Sequence, residues 1–379
     1  MKKLIKTTLL IAFSALFAVS FNSCKKSKSD STTPTTDTDA VKLAIINDFL
    51  DNTLAPTYTN LASYTEQLVN DLKTLKTNMT QANVDKACAT FLEARHWWEL
   101  SEAFLFGPAS DFGIDPHIDS WPLDEDAFNN LMASPNMIAS LDSEDGDVVA
   151  GEQLGNALLG FHGIEYVLFR DGAPRPVAEL NNDFMIYSVA VAGDLRNRCF
   201  QLEVSWVGDD APASHVELME ELEFKTTVNN TDNSYGENMR NAGKAGSTYA
   251  TLTQALQSIV DGCIDISDEV GTSKIGKPHT GEDPTYVESP YSQKSIIDFY
   301  DNITSVKKSY NTLHEYVKGA DSALDTRITD AINEALVKIN GMAAPFVHNY
   351  ADASAGEAME ACQALSDVLD EAKDAIQDL

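Results

Sequence analysis

The sequence predicts an all-α protein built from two helical-bundle domains packed side by side. Apolar residues recur at intervals of three and four along most of the chain, as in the stripes that begin at Leu61 and Ile303, and this spacing is typical of amphipathic helices. Strand-like alternation is confined to residues 202–207. Each apolar stripe needs a partner surface, and antiparallel helices provide it most simply.

The N-terminus has the composition of a lipoprotein signal peptide over residues 1–23. Three lysines precede a short apolar run at residues 8–21, and this run is shorter than the about 20 residues that a membrane-spanning helix needs. Ser23 stands directly before Cys24, an arrangement that resembles the lipidation site of bacterial lipoproteins. We therefore expect contact with a lipid bilayer through acylated Cys24; the alternative is an ordinary secretory signal cleaved elsewhere.

The rest of the chain divides into a tether and two domains. Residues 24–40 are polar and of low complexity, which predicts a disordered tether. Residues 41–207 are predicted to form the N-terminal bundle and residues 208–379 the C-terminal bundle. We expect attachment in the cell envelope, facing the periplasm from the outer membrane rather than at the cell surface, because no acidic run follows Cys24.

Charge and cysteine content restrict the partners. The formal net charge is -31, which argues against a nucleic-acid partner because phosphate binding relies on lysine and arginine. Four cysteines follow Cys24 without any CxxC spacing, so neither a zinc cluster nor a redox motif is indicated. Two disulfides of unassigned pairing are compatible with an oxidising compartment. These cysteines are Cys88, Cys199, Cys263 and Cys362.

Residues 151–169 carry the most informative motif and are predicted to form one helix. His162 and Glu165 are three residues apart, so they lie on one side of a helix, close enough to bind one metal ion together. Three glycines interrupt the segment, among them Gly160 and Gly163. Each interior glycine costs about 0.8–1 kcal/mol relative to alanine, so we expect the close approach of another backbone. The alternative is a buried His–Glu pair with a purely structural role.

Further candidate metal ligands lie upstream of this motif. Arg95, Glu99 and Glu102 are spaced to line one helical face, which is ordinarily solvated. Aromatic residues crowd around that face and indicate partial burial. The following segment, residues 107–126, is predicted to be a long loop and offers Asp115 and His117. We predict Glu99, Glu102 and His117 as ligands beside the His–Glu motif, with Arg95 and Asp115 in supporting positions.

A third block lies in the C-terminal half. Glu288, Ser289 and Ser292 precede a predicted helix with Ser295 as its N-cap. We predict the first three as supporting residues of the site. The segment before them, residues 271–290, is predicted to be a long loop, and such loops usually have a function.

The three blocks together resemble the imelysin-like family, also classified as the M75 peptidase group. The resemblance rests on the GxHxxE motif from Gly160 to Glu165, on residues 94–108 and on residues 288–295, and it runs from about residue 41 to the C-terminus. It implies two helical bundles with the motif near their interface. It also implies a relationship to periplasmic iron-uptake components, with metal-transport components as partners.

We therefore expect an exported lipoprotein that binds a metal ion, or a metal-bearing ligand, for uptake. Carboxylates and imidazole suit iron, manganese and zinc; iron is favoured and zinc comes second. A metallopeptidase is the first alternative, but neither HExxH nor HxxEH is present, so a binding protein is preferred over an enzyme. The second alternative is a ligand-binding lipoprotein in which the GxHxxE cluster is purely structural.

Overall fold

The computed structural model describes residues 38–377, which are almost entirely helical. The α-helices are α1 (Thr38–Asp48), α2 (Ala55–Thr77), α3 (Gln81–Glu99), α4 (Pro108–Asp111), α5 (Asp115–Ile118), α6 (Glu125–Met132), α7 (Pro135–Leu141), α8 (Gly146–Gln153), α9 (Gly160–Leu168), α10 (Asn182–Val207), α11 (Ala213–Glu221), α12 (Tyr235–Arg240), α13 (Leu252–Glu269), α14 (Gly276–Thr280), α15 (Ser295–Ala320), α16 (Ser322–Asn340), α17 (Phe346–Asn349) and α18 (Ala353–Gln377). Two-residue strands β1 (Phe169–Arg170) and β2 (Ala173–Pro174) form an antiparallel hairpin. The all-α prediction is confirmed.

Two groups of long helices form the core. Helices α2, α3 and α10 pack together in the N-terminal half, and α13, α15, α16 and α18 pack together in the C-terminal half. The groups meet where α3 and the 3-10 turn Glu102–Phe104 contact α15. Helix α10 ends at Val207, at the limit predicted between the domains. All the helices nevertheless belong to one compact unit, and the predicted domain bounds stay a prediction.

The core confirms the apolar stripes. Leu61 of α2 and Ile303 of α15, where two of the predicted stripes begin, are completely buried. The four cysteines beyond residue 37 are buried free thiols, so the two disulfides allowed by the sequence are not formed. A thiol on a helix behaves here as a compact apolar side chain.

Some local predictions are wrong. Residues 202–207 are the last turns of α10 rather than a strand; this helix is buried on most of its circumference, so its apolar residues lack clear helical spacing. The predicted loop at residues 271–290 begins instead with the π-helical turn Val270–Ile275, followed by α14. The predicted loop at 107–126 contains the one-turn helices α4 and α5.

The N-terminal predictions are only partly covered by the described residues. Helix α1 begins at Thr38, inside the predicted tether, and it packs on α13 of the C-terminal group. The signal peptide, Cys24 and the remainder of the tether lie outside the described residues. Within residues 38–377, no helix is both long enough and apolar enough to cross a membrane.

Candidate metal centre

Helix α9 starts abruptly at the GxHxxE motif. Gly160 has a φ of +66°, and a Cβ there would lie 1.8 Å from the carbonyl oxygen of Ile118. The predicted close approach of another backbone is thus confirmed at this glycine. The prediction of one continuous helix over residues 151–169 is wrong, because a left-handed residue ends regular helix geometry. Helix α8 ends at Gln153 and α9 begins anew at Gly160.

This start of α9 places His162 and Glu165 side by side in the interior. His162 Nδ1 lies 3.2 Å from Glu165 Oε2, and the two residues are 2% and 1% exposed. The backbone N–H and the Oγ–H of Ser292 both donate to Glu165 Oε1, at 2.8 and 2.7 Å. Glu165 therefore joins α9 to the third block and holds the imidazole in one orientation.

The other imidazole nitrogen faces a group of acids. His162 Nε2 lies 3.1 Å from Asp119 Oδ1, yet it makes no aligned hydrogen bond and is inaccessible to solvent. Trp98 Nε1–H donates to the second oxygen of Asp119 at 2.6 Å. Asp119 is therefore fixed from one side, and one oxygen points towards His162.

Arg95 is the central cation of this group. Its guanidinium contacts the carboxylates of Glu99 and Asp119, lies 2.6 Å from Glu288 Oε1 and 4.0 Å from Asp298 Oδ2. The residue is 2% exposed. Arg95 therefore lies beside Glu99, and α3, the loop after it and α15 all meet at this side chain.

Lys274 is a second buried cation. The π-helical turn Val270–Ile275 carries it inward, where it is 1% exposed. Its Nζ lies 3.2 Å from Glu288 Oε1, 3.5 Å from Glu102 Oε1 and 3.8 Å from Glu99 Oε2. Glu102, although it lies beyond the end of α3, therefore joins the same group.

The cluster carries more negative than positive charge. Arg95 and Lys274 are its permanent cations, and His162 adds one charge only when it is protonated. Buried charge without compensation is strongly unfavourable, so protons or bound cations must supply the difference. The carboxylates are those of Glu99, Glu102, Asp119, Glu165, Glu288 and Asp298, all at most 7% exposed.

Burial and neighbouring charges raise the pKa of some of these groups and lower the pKa of others. Burial raises the pKa of Glu99 and Glu102 well above their usual range and raises the pKa of Asp298 to about 7. Burial also opposes ionisation of Asp119, but Arg95 and His162 outweigh it and lower the pKa of Asp119 below its usual range. Burial disfavours the imidazolium of His162, yet the adjacent carboxylates of Asp119 and Glu165 outweigh it and raise the pKa of His162 to about 9.

Two predicted residues lie apart from the centre of the cluster. His117 Nε2 lies 2.7 Å from Asp194 Oδ2 on α10, so the structure does not bring this histidine to the group. Asp115 is half-buried at the edge of the cluster, where burial and the nearby Asp119 raise its pKa to about 7.

The serines of the third block lie in the interior. Ser289 is buried. Ser295 is the first residue of α15 rather than its N-cap, and its hydroxyl donates to the Glu288 carbonyl.

Sequence reasoning did not select four members of the cluster. Asp119 was one acid among several in an acidic loop, and Lys274 lay in a segment predicted to be irregular. Asn302 joins the cluster because its side-chain amide donates to Glu99 Oε2. Asp298 and Asn302 did carry a signal, because they stand four residues apart on the face of α15 that also buries Phe299 and Ile303. Polar residues on an apolar helical stripe indicate a buried polar site.

The donor set fits a transition-metal ion. Among the described residues, the ligand atoms of Asp119, His162 and Glu288 lie within 4.8 Å of one another, as do those of Glu99, Glu102 and Asp119. His162 Nε2 and Glu288 Oε2 are buried without a hydrogen-bond partner, and each carboxylate retains lone pairs beside its contacts to Arg95 or Lys274. Imidazole with carboxylates suits iron, manganese and zinc.

Fold and site together define an all-helical protein with a buried His, Arg, Lys and carboxylate cluster where its two helix groups meet. The chain belongs to the imelysin family (Peptidase M75), whose model matches residues 54–372. The family resemblance that the sequence predicted is confirmed.

Two of the relatives are named as iron-regulated proteins. The chain is 29% identical over 266 residues to iron-regulated protein A of Synechococcus elongatus, an alignment that covers 70% of this chain and 63% of that protein's length. A crystal structure described as an iron-regulated protein A precursor from Parabacteroides distasonis superimposes with a TM-score of 0.77 at 25% identity, covering 91% and 97% of the two chains. An imelysin-like protein from Psychrobacter arcticum shares the fold at 12% identity, with a TM-score of 0.60 and coverage of 87% and 93%.

Proposed function

We propose that the protein binds a transition-metal ion, with iron favoured over zinc, through Asp119, His162 and Glu288. One observation carries the proposal: His162 Nε2 is buried, has no hydrogen-bond partner and faces two carboxylates. A buried polar atom without a partner is costly, and coordination of an ion would offset that cost. The iron-regulated relatives support iron as the ion.

Glu165 is a positioning residue in this proposal, whereas the motif alone predicted it as a metal ligand. Its Oε1 accepts two hydrogen bonds from Ser292, and its Oε2 faces His162 Nδ1. A carboxylate on the second nitrogen of a histidine ligand fixes the tautomer and ring orientation. Glu165 therefore positions His162, and Asp119 and Glu288 supply oxygen ligands.

Burial of the site disfavours the metallopeptidase alternative. The three candidate ligands are at most 3% exposed, so an extended polypeptide cannot reach an ion there without opening the helix groups. The third reading, a structural cluster, has one specific observation in its favour, since the bonds from Ser292 to Glu165 tie α9 to the segment before α15.

The proposed setting is the cell envelope. The apolar run and Cys24 support an exported lipoprotein that faces the periplasm from the outer membrane, where a bound ion would pass to metal-transport components. Globomycin treatment of expressing cells tests the anchor, because blocking lipoprotein signal cleavage should leave the full-length precursor in the membrane. A soluble mature form unaffected by the drug would contradict lipidation of Cys24.

Metal titration tests the binding role. Metal-free mature chain should bind Fe(II), added anaerobically, in calorimetry, and His162→Ala and His162→Gln should lose that binding while circular dichroism stays unchanged. His215→Ala is the matched control, because His215 is also buried beside a glutamate, Glu203, but lies outside the cluster. Equal iron binding by all variants, or none by the wild type, would overturn the proposal and favour the structural reading.

A further inference from the structure

We propose that Trp121 and Tyr286 form an aromatic lid over the cluster and control the rate at which an ion reaches and leaves His162. The two rings lie 5.1 Å apart, measured between their centres, and their planes are inclined by 46°. The inference rests on the proposed function, because it supplies the entrance to the site proposed there. It gives a role to two side chains that bind no ion themselves.

Trp121 is a ring through which the cluster meets solvent. Its centre lies 5.8 Å from that of the His162 imidazole, and the residue is half-buried. Trp98 and Phe161, two other rings that border the cluster, are completely buried. Because His162 is 2% exposed, displacement of the Trp121 indole would open a way to Nε2 without separating the two helix groups.

Each lid residue stands two positions from a proposed metal ligand. Trp121 follows Asp119, and Tyr286 precedes Glu288. The first pair lies in the irregular segment between α5 and α6, and the second in the one between α14 and α15. Short segments on both sides therefore carry an oxygen ligand and a lid ring together, which places the entrance directly beside the ligands.

The contacts that hold the lid shut are weak ones. Trp121 Nε1 is buried but has no hydrogen-bond partner, so no hydrogen bond fixes the indole nitrogen. Lys277 Nζ lies 4.1 Å from the centre of the Tyr286 ring, and Lys274 Nζ lies 5.3 Å from that of Trp121, both within the range of cation–π contacts. Stacking and cation–π contacts are individually small, so the rings can separate while the ion pairs of the cluster stay intact.

The segment that carries Tyr286 also has strained backbone. Ser289 has a φ of +49° and Gln293 a φ of +59°, values that are uncommon for residues other than glycine. Such strain is concentrated at ligand clamps and switch regions. The bonds from Ser292 to Glu165 anchor the far end of the segment, so movement is directed to the part that holds Tyr286.

Chemical labelling tests the lid without any metal. Diethylpyrocarbonate modifies accessible imidazoles, and peptide mass spectrometry gives the rates at His162 and His215 in the metal-free mature chain. Trp121→Ala and Tyr286→Ala should each speed up labelling of His162 by roughly tenfold, equivalent to about 1.4 kcal/mol, because the contacts that are lost are of this order. Labelling of His215, which is buried elsewhere, should stay unchanged.

Two variants serve as controls for the lid. Tyr286→Phe keeps the ring and should be labelled at His162 like the wild type. Trp97→Ala removes another half-buried tryptophan beside a lysine, Lys308 Nζ at 5.6 Å, but one outside the lid, and it should also leave the labelling of His162 unchanged.

Three labelling results would overturn the inference. The first is an unchanged rate at His162 in either alanine variant of the lid. The second is a parallel rise at His215, which indicates general loosening of the fold. The third is an equal rise at His162 in Trp97→Ala. Tyr286→Ala decides alone if Trp121→Ala does not fold.

Iron kinetics separate the lid from the proposed function. A lid changes the rates of entry and exit by the same factor, so Tyr286→Ala should speed up both the anaerobic binding of Fe(II) and its release to a chelator, with the dissociation constant unchanged. Stopped-flow measurements give both rates. Iron binding with unchanged rates in this variant overturns only the inference. No iron binding by the wild type overturns the proposed function, and with it the role of the lid in ion entry.

Discussion

Two buried histidine–glutamate pairs lie in this molecule, and their surroundings differ. His215 Nδ1 lies 2.6 Å from Glu203 Oε2, and the imidazole stacks on Phe200 with 3.6 Å between ring centres. Among the described residues, no lysine or arginine forms an ion pair with Glu203. His162 and Glu165 lie slightly farther apart, at 3.2 Å, but they border a cluster of further acids and two cations.

The difference shows that a buried histidine–glutamate contact does not by itself indicate a binding site. At His215 an aromatic ring stacks on the imidazole, the buried atom without a hydrogen-bond partner is Glu203 Oε1, and the pair joins α10 to α11. At His162 the glutamate binds one nitrogen and leaves the other facing carboxylates without a hydrogen bond. A binding centre is therefore indicated by the second nitrogen and by the surplus of acids around it, and a buried histidine–glutamate contact alone would not distinguish the two.

The largest expected loss of stability comes from replacing Arg95. This residue is a buried cation of the His162 cluster, and the His215 pair has no counterpart to it. Arg95→Met leaves the carboxylates of Glu99, Asp119 and Glu288 without their main partner. Breaking a buried ion pair in this way costs about 3–5 kcal/mol, which chemical denaturation of the metal-free chain should show. Arg327→Met, which removes an exposed pair with Glu371, should change the free energy of unfolding little. Equal effects would mean that the cluster is solvated in solution.

Gly160 allows a comparison between two glycines. Gly160→Ala puts a side chain at φ +66° against the Ile118 carbonyl, and the backbone conformation alone costs roughly 1–3 kcal/mol. Gly319→Ala, where no atom lies within 4 Å of the added Cβ, should be neutral or stabilise by about 0.4–1 kcal/mol. Thermal unfolding of both variants measures this. A neutral Gly160→Ala would contradict the close contact between α9 and α5.

Ser292 tests the bond that holds the His162 pair in place. Ser292→Ala removes the hydroxyl bond to Glu165 Oε1 but keeps the bond from the backbone N–H. A hydrogen bond to a buried charged group is worth about 1.5–3 kcal/mol, so we expect a loss at the lower end of that range. Ser140→Ala, whose exposed hydroxyl bonds only its own helix, should leave the free energy of unfolding unchanged.

The last expected effect is a dependence of stability on pH. The pKa of Asp298 is raised from 3.8 to about 7 and that of His162 from 6.5 to about 9, so the folded state binds more protons at both residues. Their stabilising contribution is present at low pH and is lost as pH rises through those values. The melting temperature of the metal-free chain should fall between about pH 4 and pH 9, through Asp298 up to about pH 7 and through His162 above about pH 6.5. Asp298→Asn should reduce this slope and Glu203→Gln should not; an equal slope in all three would contradict the assignment.

The helices could be predicted from the sequence because apolar spacing acts locally. The stripes at Leu61 and Ile303 are buried as expected, and the GxHxxE motif identified the histidine of the site. The same reasoning failed at residues 202–207 of helix α10, which were predicted to be strand-like, because a helix buried on most sides shows no clear apolar stripe.

The full composition of the cluster, and which of its members touch, could not be predicted, because it depends on contacts between distant parts of the chain. Arg95 and Glu288 lie 193 residues apart and meet at 2.6 Å, and Lys274 enters through a π-helical turn that no spacing in the sequence signals. His117 was an equally plausible ligand by sequence, yet the fold pairs it with Asp194. Local patterns identify candidate side chains, and only the packed fold decides which of them meet.

The most direct test of a metal centre at His162 is a crystal structure of the iron-loaded chain, with anomalous diffraction recorded on either side of the iron absorption edge. We predict an anomalous peak within about 0.2 Å of the roughly 2.0–2.1 Å that a zinc–imidazole bond spans, measured from His162 Nε2, with Asp119 and Glu288 also in contact. No anomalous peak should lie at His215. A cluster without a peak, or with iron only on the acidic surface, would contradict the account.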